Sequence, residues 1–82
     1  MNGYDKELCI FGKDKVIHDI ALFFRNNHLG YQKSLVKEPT RWKPKSINYY
    51  LRVYVTNDSH TKLKNYIKVK NVDVKVGYSD IS

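Results

Sequence analysis

Cysteine, acidic residues and long apolar runs are all scarce in this chain, and each shortage removes a class of function. Cys9 is the only cysteine among 82 residues, so no internal disulfide can form and a reducing, cytoplasmic setting is expected. His18, His28 and His60 are scattered, none at helical i, i+4 spacing from another or near Cys9, so no metal site is expected. The longest apolar stretches, such as Ile20-Ala21-Leu22-Phe23-Phe24, fall far short of the roughly 20 residues a membrane span needs. Residues 1–12 contain Asp5 and Glu7 and no long apolar run, so neither a signal peptide nor a membrane partner is expected. Glycine-rich phosphate loops, internal repeats, low-complexity tracts and linkers are missing as well, and no cofactor is implied.

The few acids are also badly placed for catalysis. Asp5, Glu7, Asp14, Asp19, Glu38, Asp58, Asp73 and Asp80 form no close pair on one strand face near a histidine. Asp58 and His60 share a short segment, which reads more simply as the start of a helix. The expectation is a protein that binds rather than one that catalyses.

What the chain does carry is positive charge and aromatic rings. Fifteen Lys and Arg against eight Asp and Glu give +7, a field that favours nucleic acid or an acidic protein surface. Twelve Lys, seven Asn, seven Tyr and six Ile are also the residues that an AT-rich coding sequence favours, so part of the lysine excess has that second explanation. Small size and this composition suit a phage or mobile-element product. Hydrophobic residues make up 41%, enough for one core in one basic domain over residues 1–82, with 77–82 expected as a loose tail. A chain this short buries only roughly 60–65% of its unfolded surface.

Periodicity places the elements. Glu7-Leu8-Cys9-Ile10-Phe11 alternates and closes at Gly12, predicting a first strand. Ile17, Ile20, Ala21 and Phe24 then share one helical face, with Asp14 near the start and Gly30 as the expected left-handed stop. A second strand is expected at about Tyr31–Lys37, followed by a loop from Glu38 to Ser46 containing Pro39 and Pro44. Ile47–Thr56, dense in β-branched and aromatic residues, predicts the third strand. Asn57-Asp58-Ser59 offers capping oxygens for a second helix that buries Leu63, Tyr66 and Ile67. Val72, Val74 and Val76 alternate with Asp73 and Lys75 as the fourth strand.

This β-α-β-β-α-β order defines an α+β, ferredoxin-like fold: a four-stranded antiparallel sheet with both helices on one face. The other face is left open. Parity in the third strand sends Ile47, Tyr49, Leu51, Val53 and Val55 inward, and Asn48, Tyr50, Arg52, Tyr54 and Thr56 outward. Glu7, Cys9 and Phe11 join the outward set from the first strand. Phe11, Tyr50, Arg52 and Tyr54 should therefore cluster on the uncovered face, the combination that stacks bases and holds phosphate.

RNA-recognition-motif domains use the same face, but the spacing Tyr50-x-x-x-Tyr54 differs from theirs, and the glycine-rich run before their aromatics is missing. Acylphosphatases share the fold class, yet the phosphate loop with its following Arg does not occur after strand one. Packing of Tyr50 and Tyr54 against the tail or a second subunit is the competing account of the outward rings.

Two further basic candidates stand apart from the sheet. Arg41, Trp42, Lys43 and Lys45 crowd the loop between strands two and three, where Trp42 serves either as a stacking anchor or as a cap on the core edge. Lys62 and Lys64, with Lys68 and Lys70, stand off the buried stripe of the second helix, either to meet phosphates or simply to solvate it.

From Glu7 to Ile67 the chain resembles the strand-helix-strand-strand-helix portion of LAGLIDADG homing endonuclease domains. The matching pieces are Phe11-Gly12-Lys13-Asp14, Gly30-Tyr31-Gln32-Lys33-Ser34 and Tyr49-Tyr50-Leu51-Arg52-Val53. The namesake helix with its metal-binding acid is absent, so the resemblance implies a DNA-contacting sheet without catalysis. The expected partners are single-stranded nucleic acid or RNA, with a protein-binding modulator or inhibitor of a larger enzyme as the alternative, and a homodimer pairing open sheets as a third.

Overall fold

A computed structural model describes residues 3–39 and 47–81. The elements are β1 (Lys6–Lys13), α1 (Asp14–Asn26), β2 (Gly30–Pro39), β3 (Ile47–Val55), α2 (Asn57–Lys70) and β4 (Val74–Asp80). The four strands form one antiparallel sheet in the order β2-β3-β1-β4. Both helices feed the same core, so they lie on one face, and the ferredoxin-like arrangement holds. Leu8 and Ile10 of β1, Leu51, Val53 and Val55 of β3, Ile17, Ile20 and Phe24 of α1 and Leu63 of α2 are fully buried together. Burial of one such side chain stabilises by about 1.5–3 kcal/mol.

The two helices contribute unequally. α1 turns its apolar stripe squarely onto the sheet. α2 gives the core only Leu63 and His60, and touches α1 through Tyr66, whose ring stacks on Phe23 with centroids 4.0 Å apart. Tyr66 and Ile67, expected in the buried stripe of this helix, are only half-buried, as is Val74 of β4. On the inward-facing side of β4, Val76 is 37% and Tyr78 62% exposed, although the Tyr78 ring meets His60 of α2 at 5.7 Å and Lys6 at 4.8 Å.

Several local expectations are corrected. Residues 77–80 belong to β4 and are no loose tail: Gly77, Tyr78, Ser79 and Asp80 pair with Cys9, Leu8, Glu7 and Lys6. The Ile81 amide donates to the Asp5 carbonyl beyond them. The alternation of Val74 and Val76 runs on through Tyr78, past Gly77, and pairing to the central strand β1 continues with it. Glu38 and Pro39 lie in β2 instead of the loop. Helix α2 is capped by Thr56, whose hydroxyl accepts from the Ser59 amide at 3.2 Å, not by Asn57-Asp58-Ser59.

Gly30 is not the left-handed stop of α1. That conformation falls on His28 (φ 50°), while Gly30 opens β2 opposite Val55. Glycine is required there for close approach: a Cβ at Gly30 would lie 2.1 Å from the Tyr54 carbonyl oxygen and 3.1 Å from Phe24 Cζ. The candidate loop residues Arg41, Trp42, Lys43 and Lys45 lie outside the described residues.

Candidate nucleic-acid interface

Register determines what the open face carries. Across the sheet from β2 to β4, Tyr31, Tyr54, Glu7 and Ser79 form one row, and Val36, Tyr50, Phe11 and Lys75 another. Between them lies Ser34, Arg52, Cys9 and Gly77. The outer two rows are set by residues four apart in β3, about 13 Å along the strand.

Both outer rows are aromatic. Phe11 and Tyr50, directly opposite each other, pack with their rings tilted by 47° and their centroids 4.7 Å apart. In the other row Tyr54 has Tyr31 on one side at 6.1 Å and Tyr4, just before β1, at 6.2 Å, all nearly parallel. Such contacts add about 0.5–1.5 kcal/mol per pair beyond burial. Tyr31 remains 52% exposed, while Phe11, Tyr50, Tyr54 and Tyr4 are half-buried against one another.

The middle row is cationic and low. A β-bulge between Gln32 and Ser34 inserts Lys33 and brings it over the open face, with its ammonium 5.4 Å from the Tyr54 ring centroid. Hydrogen bonding to Tyr54 and then attraction to Glu7 hold the Lys33 pKa above its ordinary value. The Glu7 carboxylate lies 3.6 Å from Lys33 and 3.9 Å from Arg52, so the only described acid in this row pattern is matched by two cations. These ion pairs are exposed and contribute little to folding. Beside Arg52 the small residues Cys9 and Gly77 floor a shallow depression of about 350 Å³ that Glu7, Tyr78 and Ser79 border. Cys9 is free and half-buried there.

The structure thus brings Phe11, Tyr50, Arg52 and Tyr54 onto one surface. It does not bring Lys62 and Lys64 to it, because α2 covers the opposite side of the sheet and both lysines face solvent there. Asp58 and His60 are also separated. Asp58 is exposed in the first turn of α2, whereas His60 is buried, and desolvation with nearby Lys6 and Lys64 lowers its pKa below 6.5. Among the described residues no group of three or more His, Cys, Asp or Glu is placed to hold a metal ion, and no helix is long and apolar enough to cross a membrane.

Sequence reading missed Tyr4, Tyr31, Lys33 and Lys75. Strand parity with Tyr54 and Phe11 would have found Tyr31 and Lys75 once the register was known. Nothing in the sequence announces the bulge that aims Lys33.

No protein-family model matches the chain, and no curated protein does. Solved structures do resemble it. A PII-like signaling protein from Thermus thermophilus superposes with a TM-score of 0.74 at 8% identity, covering 94% of this chain and 85% of that one. The C-terminal domain of the MgtC protein from Mycobacterium tuberculosis gives 0.59 at 8% identity, covering 99% and 92%. An uncharacterized protein from Thermotoga maritima gives 0.58 at 18% identity, covering 96% and 98%. At these identities the likeness establishes the α+β ferredoxin-like fold and nothing finer. Nothing in these descriptions bears on the LAGLIDADG resemblance.

Proposed function

We propose that this chain is a non-enzymatic binding protein that takes single-stranded nucleic acid, DNA or RNA, on the open face of its sheet. The carrying observation is the pair of aromatic rows, Tyr4-Tyr54-Tyr31 and Phe11-Tyr50, separated by Arg52 and Lys33 on a face that no helix among the described residues covers. Bases stack on such rings with about 1–3 kcal/mol each, without demanding a particular sequence. Arg52, Lys33 and Lys75 supply phosphate contacts between and beside the rows. Arg41, Trp42, Lys43 and Lys45, which follow β2 in the sequence, are further candidates for phosphate and base contacts. Lys62 and Lys64 have no part in this surface. A net charge of +7 favours the encounter with any polyanion.

The test is a titration with single-stranded DNA, RNA of the same sequence and the matching duplex at two salt concentrations. Single strands should bind more tightly than duplex, with affinity falling by a log–log slope of about 0.7 for each phosphate contact. Equal binding to all three, with no loss in the Arg52→Ala variant, would count against the sheet as the site.

Docking on an acidic protein surface, as a modulator in the cytoplasm, is the second reading. Glu7 favours it, since a carboxylate at the centre of the face repels phosphate and suits a mixed polar interface. The description of the Thermus neighbour as a signaling protein points the same way.

A further inference from the structure

We infer that the outer edge of β4 pairs with β4 of a second copy, antiparallel about Gly77, joining two sheets into one of eight strands. The two edges of the sheet are built differently. β2 is guarded: the bulge between Gln32 and Ser34 breaks its regularity, a lysine sits in that bulge, and Pro39 at its end has no amide to donate. β4 has no bulge and no proline. Seven consecutive residues pair with β1 on one side only, which leaves a straight row of backbone donors and acceptors facing outward.

Side chains and charge agree with a like partner at this edge. Val76 and Tyr78 point to the helix side, and even with His60 and Lys6 against the Tyr78 ring they stay 37% and 62% exposed. A two-fold axis at Gly77 engages the whole strand and sets Val76 opposite Tyr78 of the partner on both sides of the axis, an apolar cross-strand pair in each case. Lys75 then meets Ser79, so no like charges face each other. The segment from Asp73 to Asp80 holds two acids and one lysine, a local charge of −1 in a chain of +7. Of the two edges, this one approaches its own copy with little repulsion.

Pairing here is also self-limiting. A two-fold contact uses the same surface on both partners, and the guarded β2 edges then lie outermost, so the sheet does not grow into a fibre. Because the axis stands perpendicular to the sheet, both open faces end on the same side. The joined surface spans about 34 Å across seven interstrand spacings.

The test uses the full chain without nucleic acid, so its outcome is independent of the proposed ligand. Sedimentation equilibrium should show the mass rising with concentration from 9.7 kDa toward twice that value. Val76→Glu with Tyr78→Glu places four carboxylates around the axis and should leave a folded monomer, checked by circular dichroism. In a Cys9→Ser background, Gly77→Cys should form an interchain disulfide under mild oxidation, since facing residues on paired strands lie about 4.5–5.5 Å apart at Cα, within disulfide reach. Nothing lies within 4 Å of a Cβ added at Gly77. Ser79→Cys in the same background should stay uncrosslinked, because its twin is about four residues, or 13 Å, away. A single 9.7 kDa species at every concentration would overturn the inference. So would a dimer that survives the double Glu variant, or one that Ser79→Cys crosslinks as readily as Gly77→Cys.

Discussion

Replacing Gly30 by alanine should be among the most damaging single changes in the molecule, although it adds only one methyl group. The added Cβ would stand 2.1 Å from the Tyr54 carbonyl oxygen, a backbone atom that cannot rotate away. Phe24 Cζ, in the filled core, blocks the other direction at 3.1 Å. The start of β2 must then move off β3, weakening the ladder at Gly30–Val55 and Tyr31–Tyr54. Overpacking of this kind costs typically 1–3 kcal/mol, and a backbone obstacle puts the expected loss near the top, about 3 kcal/mol. At 0.05–0.15 kcal/mol per residue the whole chain has only about 4–12 kcal/mol to lose. The melting temperature should fall by roughly 12–24 °C. Urea unfolding followed by circular dichroism measures the loss, with Gly77→Ala as control. Gly77 has nothing within 4 Å of an added Cβ, so alanine there should be neutral or stabilising by up to about 1 kcal/mol. Equal stability of the two variants would refute the close approach of β2 to β3 and with it the described register.

Three further outcomes follow from the packing. Thr56→Ala removes the hydroxyl that accepts from the Ser59 amide and should cost about 1 kcal/mol in urea unfolding, while Asp58→Ala should cost less because Asp58 is not the cap. Leu51→Ala leaves a hole between the strands and helices and should cost about 2–5 kcal/mol by the same assay, against well under 1 kcal/mol for the exposed Val69→Ala. His60 has a folded-state pKa below its unfolded value of 6.5, so its contribution is complete above pH 6.5 and is lost as pH falls toward the folded-state pKa, where the unfolded chain takes the proton first. Urea midpoints between about pH 7.5 and about pH 5 should fall less in His60→Gln than in the parent chain.

Element order and strand parity were legible because they rest on short-range patterns: alternation in residues 7–11 and 47–56, and helical spacing from Ile17 to Phe24. That was enough to place Phe11, Tyr50, Arg52 and Tyr54 on one face. The features that depend on neighbours in space were not legible. The bulge that aims Lys33 arises from pairing between β2 and β3. The role of Gly30 is fixed by the Tyr54 carbonyl, which lies far away in sequence. Tyr78 follows Gly77, a residue depleted in strands, and so reads as tail, yet β1 supplies a partner strand through Asp80. Ile67 is only half-buried at the margin of the core, a degree of burial that helical spacing alone does not specify. Lys62 and Lys64 stand on α2, on the helix side of the sheet, where the element order already set them apart from the aromatic face.

The measurement that bears most directly on the central claim pairs binding with stability for Tyr54→Ala, Tyr50→Ala and Val53→Ala. Tyr54 and Tyr50 stand on the open face, and Val53, beside Tyr54 in β3, is fully buried on the other. If the face stacks bases, each tyrosine variant should weaken single-strand binding by about 1–3 kcal/mol while lowering folding stability by less than Val53→Ala does. Val53→Ala should lose about 2 kcal/mol of stability through its cavity and, while folded, bind as the parent chain does. Tyrosine variants that bind unchanged but unfold as easily as Val53→Ala would contradict the claim and assign the face to packing against a protein.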